Sequence, residues 1–211
     1  MSIMNKSISV IILTLLTMLF IQACSDDDNE EIYPPLITDL VCAEISNSGQ
    51  ISRIILDGGE TYMVSQNIMS SKRDTTLRCR CIYTLEQDDI TIYSIEHIFS
   101  AKPQEHDSSV IDPVRFICAW KSANYLNLSI DIMTSGSETH TFGFRADSIT
   151  TENDIKKGYF SLLHKQPEND FMSYFDTKYI SMPLHDYTDC DSIIFTLNTF
   201  NGIKVLKYAN N

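Results

Sequence analysis

The sequence predicts an all-β protein, with an N-terminal OB-like five-stranded barrel followed by a C-terminal antiparallel β-sandwich. Short apolar runs recur along the chain with turn residues between them, which is the pattern of small β-domains. Ile, Thr, Tyr and Phe are abundant, and these residue types favour strands. No long segment has the 3.6-residue apolar period of an amphipathic helix.

Residues 1–23 have the pattern of a secretory signal peptide. Lys6 supplies a positive start, and Ile8–Ile21 is apolar apart from Ser and Thr. This apolar segment of about fourteen residues is shorter than the roughly twenty that span a bilayer. Ala23 then precedes Cys24, which resembles the lipobox of bacterial lipoproteins. We expect cleavage before Cys24 and palmitate-type lipidation of its thiol; the alternative is an ordinary signal peptide with a chance cysteine.

Residues 24–35 are predicted to form an acidic tether. Because like charges repel one another, we expect the acidic run Asp26–Glu31 to remain unfolded. The run also resembles the export signal that sends Bacteroidetes lipoproteins to the outer face of the outer membrane. We therefore expect a lipid-anchored outer-membrane protein at the cell surface, and the alternative is the periplasmic face with the run as a spacer.

Residues 36–100 are predicted to form the barrel. Asp57-Gly58-Gly59 joins the second and third strands, and Asp-Gly is the kind of dipeptide that supplies positive φ in a hairpin. In the fourth strand, period-two alternation places Cys79 and Cys81 on the inner face as core fillers. The predicted strands are Leu36–Ile45, Ile51–Leu56, Thr61–Val64, Leu77–Leu85 and Ile90–Phe99.

Residues 101–112 are predicted to be a linker because they are polar, contain Pro103 and end before Pro113. Residues 113–211 are predicted to form the sandwich, and Asn201-Gly202 is a strong hairpin signal there. One helical turn fits within Ser148–Lys157 if Thr150 or Thr151 caps it. The predicted strands are Val114–Lys121, Tyr125–Met133, Thr139–Arg145, Tyr159–His164, Lys178–Leu184, Ser192–Thr199 and Ile203–Tyr208.

Five cysteines remain after the predicted lipidation of Cys24, and an odd number cannot all pair within one chain. A disulfide scaffold is typical of much shorter chains. We therefore expect these cysteines to behave as small buried hydrophobic residues. They are Cys42, Cys79, Cys81, Cys118 and Cys190.

Several stretches together resemble the NigD-like lipoprotein family of the Bacteroidetes. Besides the lipobox, they are Arg80–Leu85 with Ile92–Ile98, Ser108–Val114, Trp120–Leu128, and Asp191–Leu197 with Gly202–Tyr208. The resemblance covers nearly the whole mature chain, and it implies an N-terminal OB-type domain and a C-terminal β-sandwich. It implies no established activity, although the family name is associated with bacteriocin immunity or an accessory role.

Charge and motifs exclude several classes of function. The formal net charge of −12 leaves no electrostatic footprint for a nucleic acid. The sequence has no Gly-rich phosphate loop, no Gly-x-Ser-x-Gly elbow and no His-Glu-x-x-His motif. We predict no catalytic, cofactor-binding or metal-ligating residue. The predicted partners are the membrane, through Cys24, and a glycan or an envelope protein.

Scattered histidines and one acidic cluster are the remaining candidates for chemistry. His164 and His185 follow predicted strands, where loops can bring them together, but a satisfied or surface histidine is the more common role. Asp186, Asp189 and Asp191 offer oxygen ligands for Ca²⁺, yet the run lacks the glycine and spacing of a calcium loop. We favour a solvated turn there. The other histidines are His97, His106 and His140.

Two surfaces carry the binding hypothesis. Trp120 is either a core aromatic of the sandwich or a stacking platform for a sugar. Arg78, Arg80 and Ile82 fall on the outer face of a barrel strand, as a binding surface or as plain solvated residues. The leading hypothesis is a non-enzymatic surface module that binds an unidentified ligand. The alternatives are a bacteriocin-immunity or accessory lipoprotein, and a carbohydrate-active hydrolase.

Overall fold

The computed structural model describes residues 35–105, 110–168 and 173–210. The predicted signal peptide, Cys24 and nearly all of the acidic tether lie outside the described residues. The described chain consists of thirteen strands and one 3-10 turn, His185–Tyr187, which confirms the all-β prediction. Within it, no helix has the length and apolar character needed to cross a membrane.

The first five strands form one antiparallel sheet with the order β3-β2-β1-β4-β5. The sheet curls until its two edge strands approach each other. Across the remaining gap the side-chain amide of Gln66 stands in for a strand backbone: it donates to Ile92 O at 3.1 Å and accepts from Ile92 N at 2.6 Å. The strands are β1 (Ile37–Ile45), β2 (Ile51–Ile55), β3 (Thr61–Met63), β4 (Thr75–Glu86) and β5 (Asp89–His97).

The interior of this curled sheet is filled by alternate residues of its strands. Val41 and Ala43 of β1, Ile54 of β2 and Tyr83 of β4 are fully or almost fully buried there. Such side chains pack to the density of an organic crystal, and their burial drives the sheet to close on itself. The predicted OB-like barrel is therefore the observed fold.

The remaining strands form two four-stranded sheets, which pack as a sandwich. Their orders are β6-β11-β8-β7 and β13-β12-β10-β9. Most neighbours are antiparallel, and each sheet contains one parallel pair, β6 with β11 and β10 with β12. The strands are β6 (Phe99–Ser100), β7 (Arg115–Lys121), β8 (Tyr125–Thr134), β9 (Thr141–Glu152), β10 (Ile155–Lys165), β11 (Tyr174–Pro183), β12 (Ser192–Thr199) and β13 (Gly202–Ala209).

Strand β8 shows how the sandwich core forms. Its even-numbered residues Leu126, Leu128, Ile130 and Ile132 point between the two sheets and are almost completely buried. Its odd-numbered residues point to the other face of the same sheet, and three of them in a row, residues 127, 129 and 131, are polar. Asn127, Ser129 and Asp131 are nevertheless also buried. Further parts of the molecule must therefore cover that polar face.

The helical turn predicted within Ser148–Lys157 is wrong. Strand β9 continues through this segment to Glu152, and β10 begins at Ile155. Asn153 and Asp154 join them with positive φ values of 51° and 63°, the backbone of a type I′ hairpin turn. Asn and Asp tolerate this left-handed conformation. The prediction relied on Thr150 or Thr151 as a helix cap, and both threonines lie within β9 instead.

The five cysteines within the described residues are all free thiols. Cys79 and Cys81 lie in the core of the curled sheet, as predicted, and burial raises the pKa of each to about 12. Cys190 is also buried. The expectation of a small buried hydrophobic residue is wrong for Cys118, which is exposed on the edge strand β7, and Cys42 is half-buried in a polar contact.

Candidate functional site

Arg78 is buried where the curled sheet meets the polar face of β8 and β11. The expectation that Arg78 lies on an exposed outer surface is wrong, because only 4% of the residue is exposed. Its Nη2 donates to Asn127 Oδ1 at 3.2 Å, and its Nε donates to Ser181 Oγ at 3.3 Å. Arg78 does point away from the barrel interior, as strand alternation predicts, but the sandwich covers that face.

The charge of Arg78 is balanced by Asp57, in the turn after β2. Nη2 lies 2.7 Å from Asp57 Oδ2, and Nη1 bonds to Oδ1. The guanidinium carbon also lies 3.9 Å from the ring centroid of Tyr125. A bidentate Arg–carboxylate pair with further hydrogen bonds is the arrangement in which a buried charge is tolerated.

Tyr125 extends the same contact towards β1. Its hydroxyl lies 3.3 Å from Cys42 Sγ. Burial, followed by the hydrogen bond with Cys42, raises the pKa of Tyr125 to about 12. The phenol is therefore neutral at physiological pH, and Tyr125 joins the two parts of the molecule through the contact of its hydroxyl with Cys42 and the contact of its ring with the Arg78 guanidinium.

An open cleft of about 560 Å³ lies beside this buried contact. We call it the Trp120 cleft. One wall comes from the curled sheet and the other from β7 and β11. Its volume falls in the range of about 300–1,000 Å³ that is typical of small-ligand sites. Its charged and aromatic lining residues are Asp39, Asp57, Glu60, Arg80, Trp120 and Tyr179.

Trp120 lines the cleft and is not a core residue of the sandwich. It is 37% exposed, so the prediction of a core aromatic is wrong. The sheet order explains this position, because β7 is the edge strand of its sheet and Trp120 pairs with Asn127 of β8. Trp120 therefore points to the same side as Asn127, towards the curled sheet and away from the sandwich core.

Arg80 remains partly accessible, unlike Arg78 two residues earlier. Its guanidinium carbon lies 5.1 Å from the ring centroid of Tyr179, and its Nη1 lies 4.0 Å from Glu96 Oε2. The side chain is 34% exposed. Arg80 lines the cleft and offers hydrogen-bond donors beside an aromatic ring, whereas the half-buried Ile82 is not among the residues that line it.

The carboxylates of the cleft are bound in different ways. Both oxygens of Asp57 bond to Arg78. Asp39 Oδ2 accepts a hydrogen bond from Tyr83 at 2.8 Å. Glu60 is exposed. Two of these three carboxylates therefore already serve the protein itself, which leaves little in the cleft that resembles the acid and base pair of a glycoside hydrolase.

Two histidines meet elsewhere in the sandwich. His164 bonds to His140 rather than to His185, with His140 Nδ1 and His164 Nε2 2.9 Å apart. His164 Nδ1 lies 3.1 Å from the carbonyl oxygen of Asp112. A carbonyl only accepts, so His164 carries its proton on Nδ1 and accepts from His140 at Nε2. Burial lowers the pKa of His164.

The other histidines take no part in the cleft. His185 lies 3.1 Å from Asp186, His97 is exposed at the end of β5, and His106 lies outside the described residues. His140 and His164 are hydrogen-bonded to each other within the sandwich. The arrangement fits the expectation of satisfied or surface side chains rather than a reactive group.

The three aspartates of the acidic cluster bind lysine side chains or a backbone N–H group. Asp186 pairs with Lys102 at 3.0 Å, and Asp189 bonds to the ammonium group of Lys156. Asp191 accepts a hydrogen bond from the backbone nitrogen of Lys156 at 2.6 Å. Within residues 35–105, 110–168 and 173–210, no three His, Cys, Asp or Glu side chains converge as a metal site would require.

Sequence reasoning found Trp120 and Arg80 but missed the rest of the cleft. The sequence marks Asp57 only as a turn residue, and Asp39, Glu60 and Tyr179 carry no local signal of a site. These residues come from three distant segments, and only the packing of the curled sheet against β7 and β11 brings them together.

Comparison with known proteins places this fold in a family. A family model described as the NigD-like C-terminal beta sandwich domain matches residues 97–208, more than half of the chain. The chain belongs to the NigD-like family. The match covers strands β6 to β13, so the resemblance of the C-terminal motifs is confirmed.

Solved structures show that the similarity extends to the curled sheet. A NigD-like immunity protein from Bacteroides caccae has a TM-score of 0.65 at 23% identity, over 83% of this chain and 93% of that one. A protein of unknown function from Bacteroides vulgatus has a TM-score of 0.65 at 16% identity, over 83% of this chain and 90% of that one. A candidate lipoprotein from Bacteroides fragilis has a TM-score of 0.62 at 10% identity, over 84% of this chain and 99% of that one.

These three structures share the fold with our chain. No curated protein is similar enough to match the sequence. At identities below 25% the likeness shows the fold alone, and function has to be argued from the site.

Proposed function

We propose that this NigD-like chain is a lipid-anchored cell-envelope protein that binds its ligand in the Trp120 cleft without acting as an enzyme. The observation that carries the binding role is the exposure of Trp120 in a concave site. A large aromatic side chain is usually covered, and a pocket with a few converging polar groups is the default location for a ligand.

The anchor rests on Cys24 and the signal peptide before it. The candidate lipoprotein from Bacteroides fragilis, which shares the fold, supports this role. The acidic run after Cys24 supports display at the cell surface, on the outer face of the outer membrane. A tether of this length and charge would hold the two β-modules clear of the membrane.

Labelling with a palmitate analogue in living Bacteroides cells tests the anchor. We expect the full chain to take up the label and Cys24→Ser to lose it, whereas Cys118→Ser, which removes an exposed thiol, keeps it. Proteinase K added to intact cells should degrade the anchored protein. A labelled Cys24→Ser chain contradicts lipidation at this residue, and full protection from the protease contradicts surface display.

Binding to isolated cell envelopes tests the cleft. The full chain, solubilised in detergent, should be retained on Bacteroides envelopes, and Trp120→Ala should reduce its retention about tenfold. Phe200→Ala is the matched control, because Phe200 is an aromatic residue that is 46% exposed outside the cleft. Equal retention of all three proteins, or no retention of any, contradicts a binding role for the cleft.

A second candidate function is immunity to a bacteriocin. The name of the relative from Bacteroides caccae as a NigD-like immunity protein favours it. Deletion of the gene should then sensitise cells to one specific toxin, and a chain with Trp120→Ala should fail to restore resistance. Unchanged sensitivity across a panel of bacteriocins would remove this candidate.

A further inference from the structure

We propose that the ligand of the Trp120 cleft is an uncharged saccharide. The sugar is held against the indole of Trp120 and hydrogen-bonded by the polar groups around it. This inference rests on the proposed function and adds the chemical class of the ligand.

The aromatic side chains of the cleft suit the apolar faces of sugar rings. Trp120 is 37% exposed, and Tyr179 stands on the neighbouring part of the same wall. One face of a pyranose is lined by C–H groups, which stack on an aromatic ring while the hydroxyls remain at the rim. Trp and Tyr offer this combination of a broad apolar surface and a polar tip.

The polar side chains suit the hydroxyls. Arg80 presents guanidinium donors, and its Glu96 partner lies at the long distance of 4.0 Å, so exchange for a ligand costs little. Glu60 presents an exposed carboxylate as an acceptor. Neighbouring hydroxyls of a sugar both donate and accept, and carboxylate and guanidinium groups can each bind two of them at once.

The charges in the cleft argue for an uncharged ligand. Asp57 is neutralised internally by Arg78, while Asp39 and Glu60 face a single accessible cation, Arg80. The whole chain is strongly acidic, with a formal net charge of −12. A uronic acid, a sialic acid or a nucleic acid would meet repulsion from these groups.

The shape of the site argues for a small ligand unit rather than a protein surface. The cleft is concave, with a volume of about 560 Å³. A stable protein interface covers about 800 Å² on each partner and is centred on a hydrophobic patch. The Trp120 cleft has charged side chains set among aromatic and aliphatic ones, and this concave, mixed lining resembles the site of a small polar ligand more than such a patch.

The walls are also held in place before the ligand arrives. Arg78 bonds to Asp57 on one wall, and to Asn127 and Ser181 of the sandwich. These contacts fix the distance between the curled sheet and the strand that carries Trp120. A preformed site loses less conformational entropy on binding, which matters for weak ligands such as sugars.

An array of neutral and acidic oligosaccharides tests the proposal. The full chain is applied in a zwitterionic detergent without a sugar headgroup, since a maltoside would itself compete. We expect binding to neutral oligosaccharides, at least about tenfold weaker with Trp120→Ala. Trp120→Phe should retain part of the affinity, and Phe200→Ala should retain all of it.

The outcomes separate the ligand class from the binding role. Silence of the array, preference for acidic sugars, or binding unchanged by Trp120→Ala overturns the saccharide proposal. If the array is silent while retention on envelopes still depends on Trp120, a protein ligand takes its place and the proposed function stands. If retention on envelopes fails as well, the binding role falls together with the saccharide.

Discussion

Arg78 Nη2 on β4 lies 3.2 Å from Asn127 Oδ1 on β8, so a charged side chain of the curled sheet donates a hydrogen bond directly into the sandwich. Ser181 Oγ also donates to Asn127 Oδ1, at 2.7 Å. Asn127, on the polar outer face of β8, is thereby buried with its carbonyl oxygen hydrogen-bonded. The Trp120 cleft opens beside this contact, and its geometry depends on it.

The first prediction concerns the charge balance of Arg78. Removal of the carboxylate in Asp57→Ala leaves an almost fully buried guanidinium without its counter-ion. We expect the free energy of unfolding to fall by about 3 kcal/mol, the lower end for broken buried pairs, because the Asp57 side chain is 19% exposed. Urea denaturation measures this loss.

The exposed turn residue Asp88 is the control, and Asp88→Ala should change the free energy of unfolding by no more than about 0.5 kcal/mol. Equal losses for the two variants would mean that Asp57 does not stabilise Arg78.

The second prediction concerns acid. Burial lowers the pKa of His164 below its ordinary value of 6.5 in the folded state. Above that value His164 is neutral in both states and adds no pH dependence. As the pH falls below about 6.5, the unfolded chain binds a proton that the folded chain resists, and stability decreases. His164→Gln should flatten the stability profile between about pH 6.5 and 5.

The exposed His97 is the matched control for this profile. His97→Gln should leave the slope of the unfolding free energy against pH as it is in the parent chain. A slope that survives in His164→Gln would show that other groups cause the loss of stability in acid.

The third prediction concerns the turn between β9 and β10. Asp154 has a φ of 63°, a left-handed conformation that costs a side chain energy and glycine almost none. Asp154→Gly should raise the free energy of unfolding by about 0.5–1 kcal/mol, and Asp154→Ala should lower it. Thermal unfolding checks both. A gain with Ala and a loss with Gly would contradict the type I′ turn.

The fourth prediction concerns closure of the curled sheet. Gln66→Met leaves the backbone N–H and carbonyl of Ile92 without their side-chain partner. We expect a loss of about 1–3 kcal/mol and faster hydrogen exchange at the Ile92 amide. The neighbouring Asn67 is exposed, so Asn67→Ala should change neither quantity. Unchanged exchange in Gln66→Met would show that the gap is closed by other contacts.

Local patterns explain why so many strands were predictable. Period-two alternation around Cys79 and Cys81 fixes which face of β4 enters the core, and Asn201-Gly202 marks a hairpin whose Gly202 has a φ of 103°. Both signals lie within a few residues of the feature that they predict. The turn at Asn153 and Asp154 was not predicted, because Thr150 and Thr151 can cap a helix as well as extend a strand.

The cleft could not be predicted in this way. Alternation shows that Arg78 and Arg80 point away from the barrel, but not that the sandwich covers one and leaves the other accessible. Trp120 is exposed because β7 is an edge strand, and sheet order depends on pairings between distant segments. The domain boundaries at residues 36–100, 101–112 and 113–211 stay predictions, as does the lipidation of Cys24.

The most direct measurement uses the fact that Trp120 is the only tryptophan of the chain. Its fluorescence therefore reports on the cleft alone, and acrylamide quenching measures its accessibility. With a neutral oligosaccharide that binds, we predict weaker quenching of Trp120 as the sugar concentration rises, with a midpoint equal to the dissociation constant measured separately by calorimetry. Binding of the same sugar with no change in the quenching of Trp120 would place the ligand elsewhere and contradict the account.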